Sequence, residues 1–144
     1  IGCLRTLATI ESIAYDLGEK DLLSSFPSSV LYAESLAARY KQKDKLVVER
    51  VNIAAEKIGE VMSELFDIFN PEEIVLGGNM GCLFPYIKHI IREHSRELSN
   101  LFSEVDLQIR FIDNNTYELI QMGGSEKMFQ HWLEHGFPNK MNLD

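Results

Sequence analysis

The stretch from Ile53 to Gly78 reads IAAEKIGEVMSELFDIFNPEEIVLGG, a helix end, a hard stop, a strand and a glycine turn in succession. Ala54, Ile58, Val61, Leu65 and Phe69 recur every three to four residues, the step of one helical face. Pro71 cannot continue that helix and pushes Asn70 toward an extended backbone. Ile74-Val75-Leu76 is a short unbroken apolar run, which predicts a parallel strand covered on both faces. Gly77-Gly78 lets the chain turn sharply where the strand ends, and Asn79 is suited to cap a following helix. In open α/β sheets the carboxyl end of such a strand is where ligands are held.

Upstream, Leu4, Leu7, Ala8, Ala14 and Leu17 predict a first helix ending at Gly18. The segment from Glu19 to Ser29, with Pro27 among four serines, reads as a loop. Ser29 is placed to cap a short helix ending near Lys41, and Asp44 to cap the long helix, which at about 1.5 Å per residue runs about 40 Å to Phe69. Downstream, Leu83, Phe84, Ile87, Ile90, Ile91 and Leu98 predict a helix from Met80 to Leu98, with Pro85 in its opening turns, where proline is tolerated best. Val105, Leu107, Ile109 and Phe111 alternate with polar residues, as in a strand with one wet face. Asn115 and Glu118 are spaced like a capping box for a last helix that runs through Ile120, Met122, Met128, Phe129 and Trp132 toward Gly136.

The chain has 144 residues, 45% hydrophobic and 25% charged, enough for one domain with a core. No apolar run reaches the length of a membrane span, and no basic-then-apolar leader is visible in the sequence. A start at Ile1 without methionine reads as a processed or excised piece. A net charge of −8 argues against direct nucleic-acid binding. Lys41, Lys43 and Lys45 are interrupted by Asp44 in an inter-helix turn and read as solvated surface. Two cysteines, Cys3 and Cys82, make no disulfide framework and suit a reducing cytoplasm.

Asn70 to Gly78, NPEEIVLGG, preceded by a long helix and combined with the opening Ile1-Gly2-Cys3-Leu4, resembles the C-terminal lobe of the ROK family. That family holds sugar-responsive transcriptional repressors, sugar kinases and uncharacterised reading frames. The resemblance lies nearest the repressors of the N-acetylglucosamine and xylose type. It implies an α/β chain, the helix-rich C-terminal part of an actin-like ATPase (ribonuclease-H-like) fold, with further strands supplied from ahead of Cys3. It implies a single domain over residues 1–144, cut from a larger protein whose winged-helix DNA-binding domain is not present. The expected function is the sensor and oligomerisation portion of a sugar-responsive regulator; the alternative is the same lobe of an ATP-dependent sugar kinase.

The resemblance also assigns residues. Cys3 corresponds to the last thiolate of a structural zinc site with its other ligands upstream. Zinc wants four ligands, so the site is incomplete in this chain; the plainer alternative is a small helix-start residue. Arg5 stands where sugar-binding relatives carry a glutamate that accepts hydrogen bonds from sugar hydroxyls. A guanidinium is donor-only, and a lost charged hydrogen bond is worth roughly 1.5–3 kcal/mol. A neutral hexose should then bind poorly and a phosphorylated or acidic sugar better, unless Arg5 is simply a surface arginine. Gly77, Gly78 and Asn79 correspond to an adenosine-side loop, although turn geometry alone also explains two glycines. ATP is not expected as a ligand.

The remaining candidates are weaker. Gly123-Gly124 suggests close packing of a helix on the sheet, or approach to a cofactor. His131 and His135 stand at metal-sharing spacing on a terminal helix, where solvation is the plainer reading. Cys82 reads as a small packing residue. No carboxylate pair or Ser-His-Asp set supplies a catalytic base. Partners implied are a sugar or sugar phosphate, DNA only through an upstream domain, and further copies of the chain, with Val61, Leu65, Ile87 and Ile91 as the associating face.

Overall fold

The computed structural model describes residues 3–99, 108–112 and 116–135, and the side chains of 116–122, 132 and 135 are not described. The architecture is helix-rich α/β with a two-stranded parallel sheet. Helices α1 (Leu4–Leu7), α2 (Ile10–Asp16), α3 (Lys20–Ser25), α4 (Ser29–Lys41) and α5 (Lys45–Phe69) lead into β1 (Glu73–Leu76). A 3-10 turn over Gly81–Leu83, α6 (Phe84–Leu98), β2 (Gln108–Phe111) and α7 (Thr116–His135) complete the order. Among the described residues no helix is long and apolar enough to cross a membrane.

Several boundaries obey local rules. Asp44 caps α5, its Oδ1 accepting from the Leu46 and Val47 amides. Gly18 takes φ +70° after α2, with its N–H on Tyr15 O and the Glu19 N–H on Ala14 O. Those two bonds complete a Schellman stop. Pro85 lies in the first turn of α6, where its missing N–H costs nothing.

Other expectations are corrected. Asn70 is left-handed (φ 43°, ψ 54°) rather than extended, because its N–H still closes α5 on Phe66 O and asparagine tolerates that conformation. The predicted first helix breaks at Ala8–Thr9. Thr9 Oγ1 accepts from the Ser12 amide while Ser12 Oγ accepts from the Thr9 amide, so a capping box starts α2 anew. Leu4 and Leu7 are consequently exposed, and Ile10, Ile13 and Ala14 carry the buried face. The expected loop at Glu19–Ser29 contains α3, and Ser28 rather than Ser29 caps α4. Asn79 caps no helix: its Nδ2 donates to Ser29 Oγ at 2.8 Å, and α6 starts without a side-chain cap.

The strands pair in the register Glu73↔Gln108 to Leu76↔Phe111, with α6 in the crossover between them. Ile74 and Leu76 pack toward the helical core, but Val75 is 42% exposed. The expectation of two covered faces is therefore overturned: within the described residues helices pack on one side of the sheet. In β2, Ile109 is buried between exposed Gln108 and Arg110, the predicted alternation. Val105, Leu107, Asn115 and Gly136 lie outside the described residues, as do the side chains of Glu118, Ile120, Met122 and Trp132. In α7, Met128 and Phe129 are exposed. A Cβ at Gly123 or Gly124 would meet nothing among the described residues, so neither glycine serves a close contact there.

The most extensive helix pairing is α5 on α6. Val47, Val51, Ala54, Ala55, Ile58, Met62 and Phe66 form the buried face of α5, Ala54 and Ile58 as expected, whereas Leu65 and Phe69 are 40% and 70% exposed. The periodicity of large side chains therefore points to one side of the true face. Its centre holds small residues, Ala55, Gly59 and Ser63, because α6 comes close there. A Cβ at Gly59 would stand 3.0 Å from His94 Cβ and 3.1 Å from Ile91 O. Ser95 Oγ, fully buried, lies 2.6 Å from Ile91 O and 3.2 Å from Gly59 O. Ile87 and Ile91 are fully buried in this core, so neither can belong to an exposed association face; Val61 is half-buried and Leu65 exposed.

A polar fastening holds the helices ahead of α5. Arg39 Nη1 donates to both oxygens of Glu19 at 2.9 and 2.8 Å, and its Nε to Asp44 Oδ2 at 3.0 Å. Tyr32, buried in the core, donates its hydroxyl to Glu19 Oε2 at 2.7 Å. Burial, then the neighbouring carboxylate, push the Tyr32 phenol up.

Two outcomes are expected. Gly59→Ala gains about 1 kcal/mol of helix propensity but overpacks the crossing, at a cost of about 1–3 kcal/mol; urea denaturation should show a net loss. The hydrogen bond from Arg39 holds the Glu19 and Asp44 carboxyls below their ordinary values of 4.5 and 3.8. Stability from these groups is complete above those values and is lost as pH falls through the depressed native ones. Denaturation midpoints tracked from neutral pH into acid should hold down to the ordinary carboxylate range, then decline, with a shallower decline in Arg39→Met.

Candidate functional site

A cavity of about 400 Å³ lies where the break between α1 and α2 meets the carboxyl end of β1. Leu4, Ala8, Thr9, Ile10 and Glu11 form one wall. Leu76, Gly77, Gly78, Asn79, Met80 and Phe84 form the other, and Ile58 of α5 closes between them. Its size is within the range that holds a small molecule.

Each wall has a local cause. On the α1–α2 side, the Thr9–Ser12 capping box turns the chain, and the Thr9 hydroxyl also donates to Arg5 O at 3.0 Å. On the strand side, Gly78 takes φ +110°, open to glycine but strained for any L side chain. The turn closes with the Gly81 N–H on Gly78 O at 3.0 Å. Gly77 differs, since among the described residues a Cβ there would meet only Ile112 Cβ, at 3.9 Å. The Asn79 amide fixes the turn to the start of α4 through Ser29.

Among the described residues the lining is apolar apart from Thr9, Glu11 and Asn79, with Glu11 its one ionisable side chain. The structure thus brings Gly77, Gly78 and Asn79 together with Leu4 and the Thr9–Glu11 segment. Arg5 and Cys3 are exposed and lie outside the lining, although Arg5 directly succeeds the lining residue Leu4. Thr9 and Glu11 were missed by sequence reasoning; the Thr-x-x-Ser spacing was the available signal for the break that presents them.

The Cys3 thiol is held below its usual range, chiefly by the Thr6 backbone N–H, which favours the thiolate that metals bind. Among the described residues no group of three or more His, Cys, Asp or Glu side chains is placed to share a metal. Cys3 can supply one ligand of a tetrahedral site and no more. Cys82 packs partly buried against the core, and burial pushes its thiol up.

The arrangement is that of an α/β domain with its cavity beyond the carboxyl end of a parallel strand, the usual place for a ligand in that class. A model of the ROK family matches residues 1–115, and the chain belongs to the ROK family. A solved structure, described as the crystal structure of a ROK family transcriptional regulator homologous to the E. coli MLC protein, has the same fold. The TM-score is 0.57 at 24% identity, over 78% of this chain and 30% of that one. The chain thus spans about 30% of the length of that regulator. No curated protein matches the sequence.

The two glycines of the turn should separate on substitution. Gly78→Ala should lower stability by about 1–2 kcal/mol, the usual cost of a left-handed L residue, whereas Gly77→Ala should stay close to wild type. Thermal unfolding of the two variants side by side checks the distinction.

Proposed function

We propose that this chain is the sensing and self-associating part of a ROK-family transcriptional regulator. In this reading it is a piece of the C-terminal lobe of an actin-like ATPase fold, and DNA is engaged only through a separate domain. The observation that carries the reading is the shared cavity. The segment bearing Cys3 and Arg5 delivers Leu4 to the same space as the Gly77–Gly78 turn. Its ligand is a sugar derivative, with Arg5, next in sequence to the lining residue Leu4, favouring one that carries phosphate or carboxylate. Zinc enters only through Cys3, whose thiolate would join ligands from elsewhere and fix the start of α1. The kinase alternative has less support here, because Arg5 stands where sugar-binding relatives carry a carboxylate.

Self-association uses the exposed apolar end of α5. Leu65, Ile68 and Phe69 are 40%, 71% and 70% exposed. Contiguous apolar surface of that kind commonly marks a contact, and two-fold pairing is the commonest way to close one.

Calorimetric titration with glucose and with glucose 6-phosphate tests the ligand class. The phosphorylated sugar should bind tighter by about tenfold to a hundredfold, the equivalent of one charged hydrogen bond, and Arg5→Glu should reverse the order. Equal affinities, or no binding of either, would remove Arg5 from the reading. Rapid ATP-dependent phosphorylation of hexoses would establish the kinase instead. In sedimentation equilibrium the protein should run as a dimer or larger, and Leu65→Glu as a monomer.

A further inference from the structure

The turn between α4 and α5 carries a second feature, separate from the cavity. Tyr40 at the end of α4, Val48 in the first turn of α5 and Tyr86 in the first turn of α6 line an open groove of about 650 Å³. The tyrosine rings meet at 5.6 Å with a 43° tilt, and the Tyr40 hydroxyl donates to Asn52 Oδ1 at 2.8 Å. The groove therefore has a fixed aromatic wall. Lys41, Lys43, Lys45 and Glu49 complete the lining among the described residues.

The charges in this turn are sorted. Asp44, which interrupts the lysines in sequence, is turned back onto Arg39 and the first amides of α5. Glu49, the lining carboxylate, has Arg50 at 3.8 Å. Among the described residues, none of the three lysines has an ion-pair partner. Lys43 also holds φ +62°, a conformation open to glycine and sterically costly for lysine. A chain of net charge −8 thus presents three ammonium groups, unpaired among the described residues, around two aromatic rings.

We propose that this groove docks an acidic segment of a partner protein, one in which aromatic or aliphatic side chains alternate with carboxylates. Tyrosine rings are favoured anchors for apolar side chains at interfaces, and a cationic rim steers and selects an acidic partner. A small phosphate is a poorer fit: the Leu46 and Val47 amides, which could cradle one at the start of α5, are already held by Asp44. A second copy of the chain is a poorer fit, because the self-association proposed above uses the opposite end of α5, at Leu65, Ile68 and Phe69.

The test is fluorescence anisotropy with a labelled peptide of alternating glutamate and phenylalanine, beside the same peptide with glutamine for glutamate. Saturable binding of the acidic peptide that weakens with added salt is expected, with the glutamine peptide weaker by about tenfold or more. The triple variant Lys41→Gln, Lys43→Gln, Lys45→Gln should lose the difference between the peptides, and Tyr86→Ala should weaken both. Lys43→Gly separates docking from folding, since it should raise the melting temperature by relieving the backbone while lowering peptide affinity. Three results would overturn the proposal: no saturable binding, equal binding of both peptides, or a triple variant that binds like wild type. Displacement of the peptide by millimolar inorganic phosphate at constant ionic strength would reassign the groove to small anions. Sedimentation showing a dimer that the triple variant dissociates would reassign it to a second copy.

Discussion

At Gly59 the backbone of α6 approaches α5 so closely that one added methyl group would meet both the Ile91 carbonyl and the Cβ of His94. That approach positions the sheet as well as the helix. With α6 held there, Phe84, Ile87 and Ile91 reach the core, and Phe84 meets Phe111 at 5.3 Å between ring centroids. The contact holds β2 beside β1, and Arg92 adds a second tie, its guanidinium 5.6 Å from the Phe111 ring and its Nη2 donating to Ile109 O. A two-stranded sheet is not stable alone. Here its register is supported by a helix that can come near only because α5 has no side chain at Gly59.

The cavity needs a second constraint, because its other wall comes from α1 and α2. Those helices are short, four and seven residues, well under the length at which a helix holds itself in water. The Schellman stop at Gly18 turns the chain so that Glu19 meets Arg39 and the buried Tyr32 hydroxyl. Arg39 in turn grips Asp44, the residue that starts α5. One guanidinium thus joins the end of α2 to the start of the helix that carries Gly59. The two walls are registered against each other through α5, which also contributes Ile58 to the lining.

How much could be read in the sequence depends on the range of each interaction. Asp44, Gly18, Pro71 and Gly78 act on their own neighbours, and each stops, caps or turns the chain where its chemistry requires. The family resemblance rested on the same local features, and the family model covers residues 1–115. The α5–α6 crossing was not legible because a face built from Ala55, Gly59 and Ser63 has no apolar signature of its own. Large residues drew the reading to one side, onto Leu65 and Phe69. In the site, the glycine turn was visible and the facing wall was not. The Thr9 box uses serine where the common signature has glutamate or glutamine, and only the fold shows that the resulting break faces Gly77 and Gly78. Val75 failed for a different reason: an apolar run announces capacity for burial, and whether both faces are covered depends on what packs there.

The same short helices suit the cavity to the sensing role proposed above. A one-turn helix such as α1 has little stability of its own, so its position depends on what Leu4 touches and on the Thr9 hydroxyl bonded to Arg5 O. A ligand held between Leu4 and the Gly77–Gly78 turn adds contacts to α1 in one arrangement only, and differential contact is what shifts a conformational equilibrium. The strand side cannot yield equally, because the turn at Gly78 is tied through Asn79 to α4 and backed by the α5–α6 core. In the sensing role proposed above, occupancy would be converted into displacement on the side that carries Cys3 and Arg5. The physical requirement for such a device is one soft wall facing one rigid wall, and the α1–α2 break supplies the soft one.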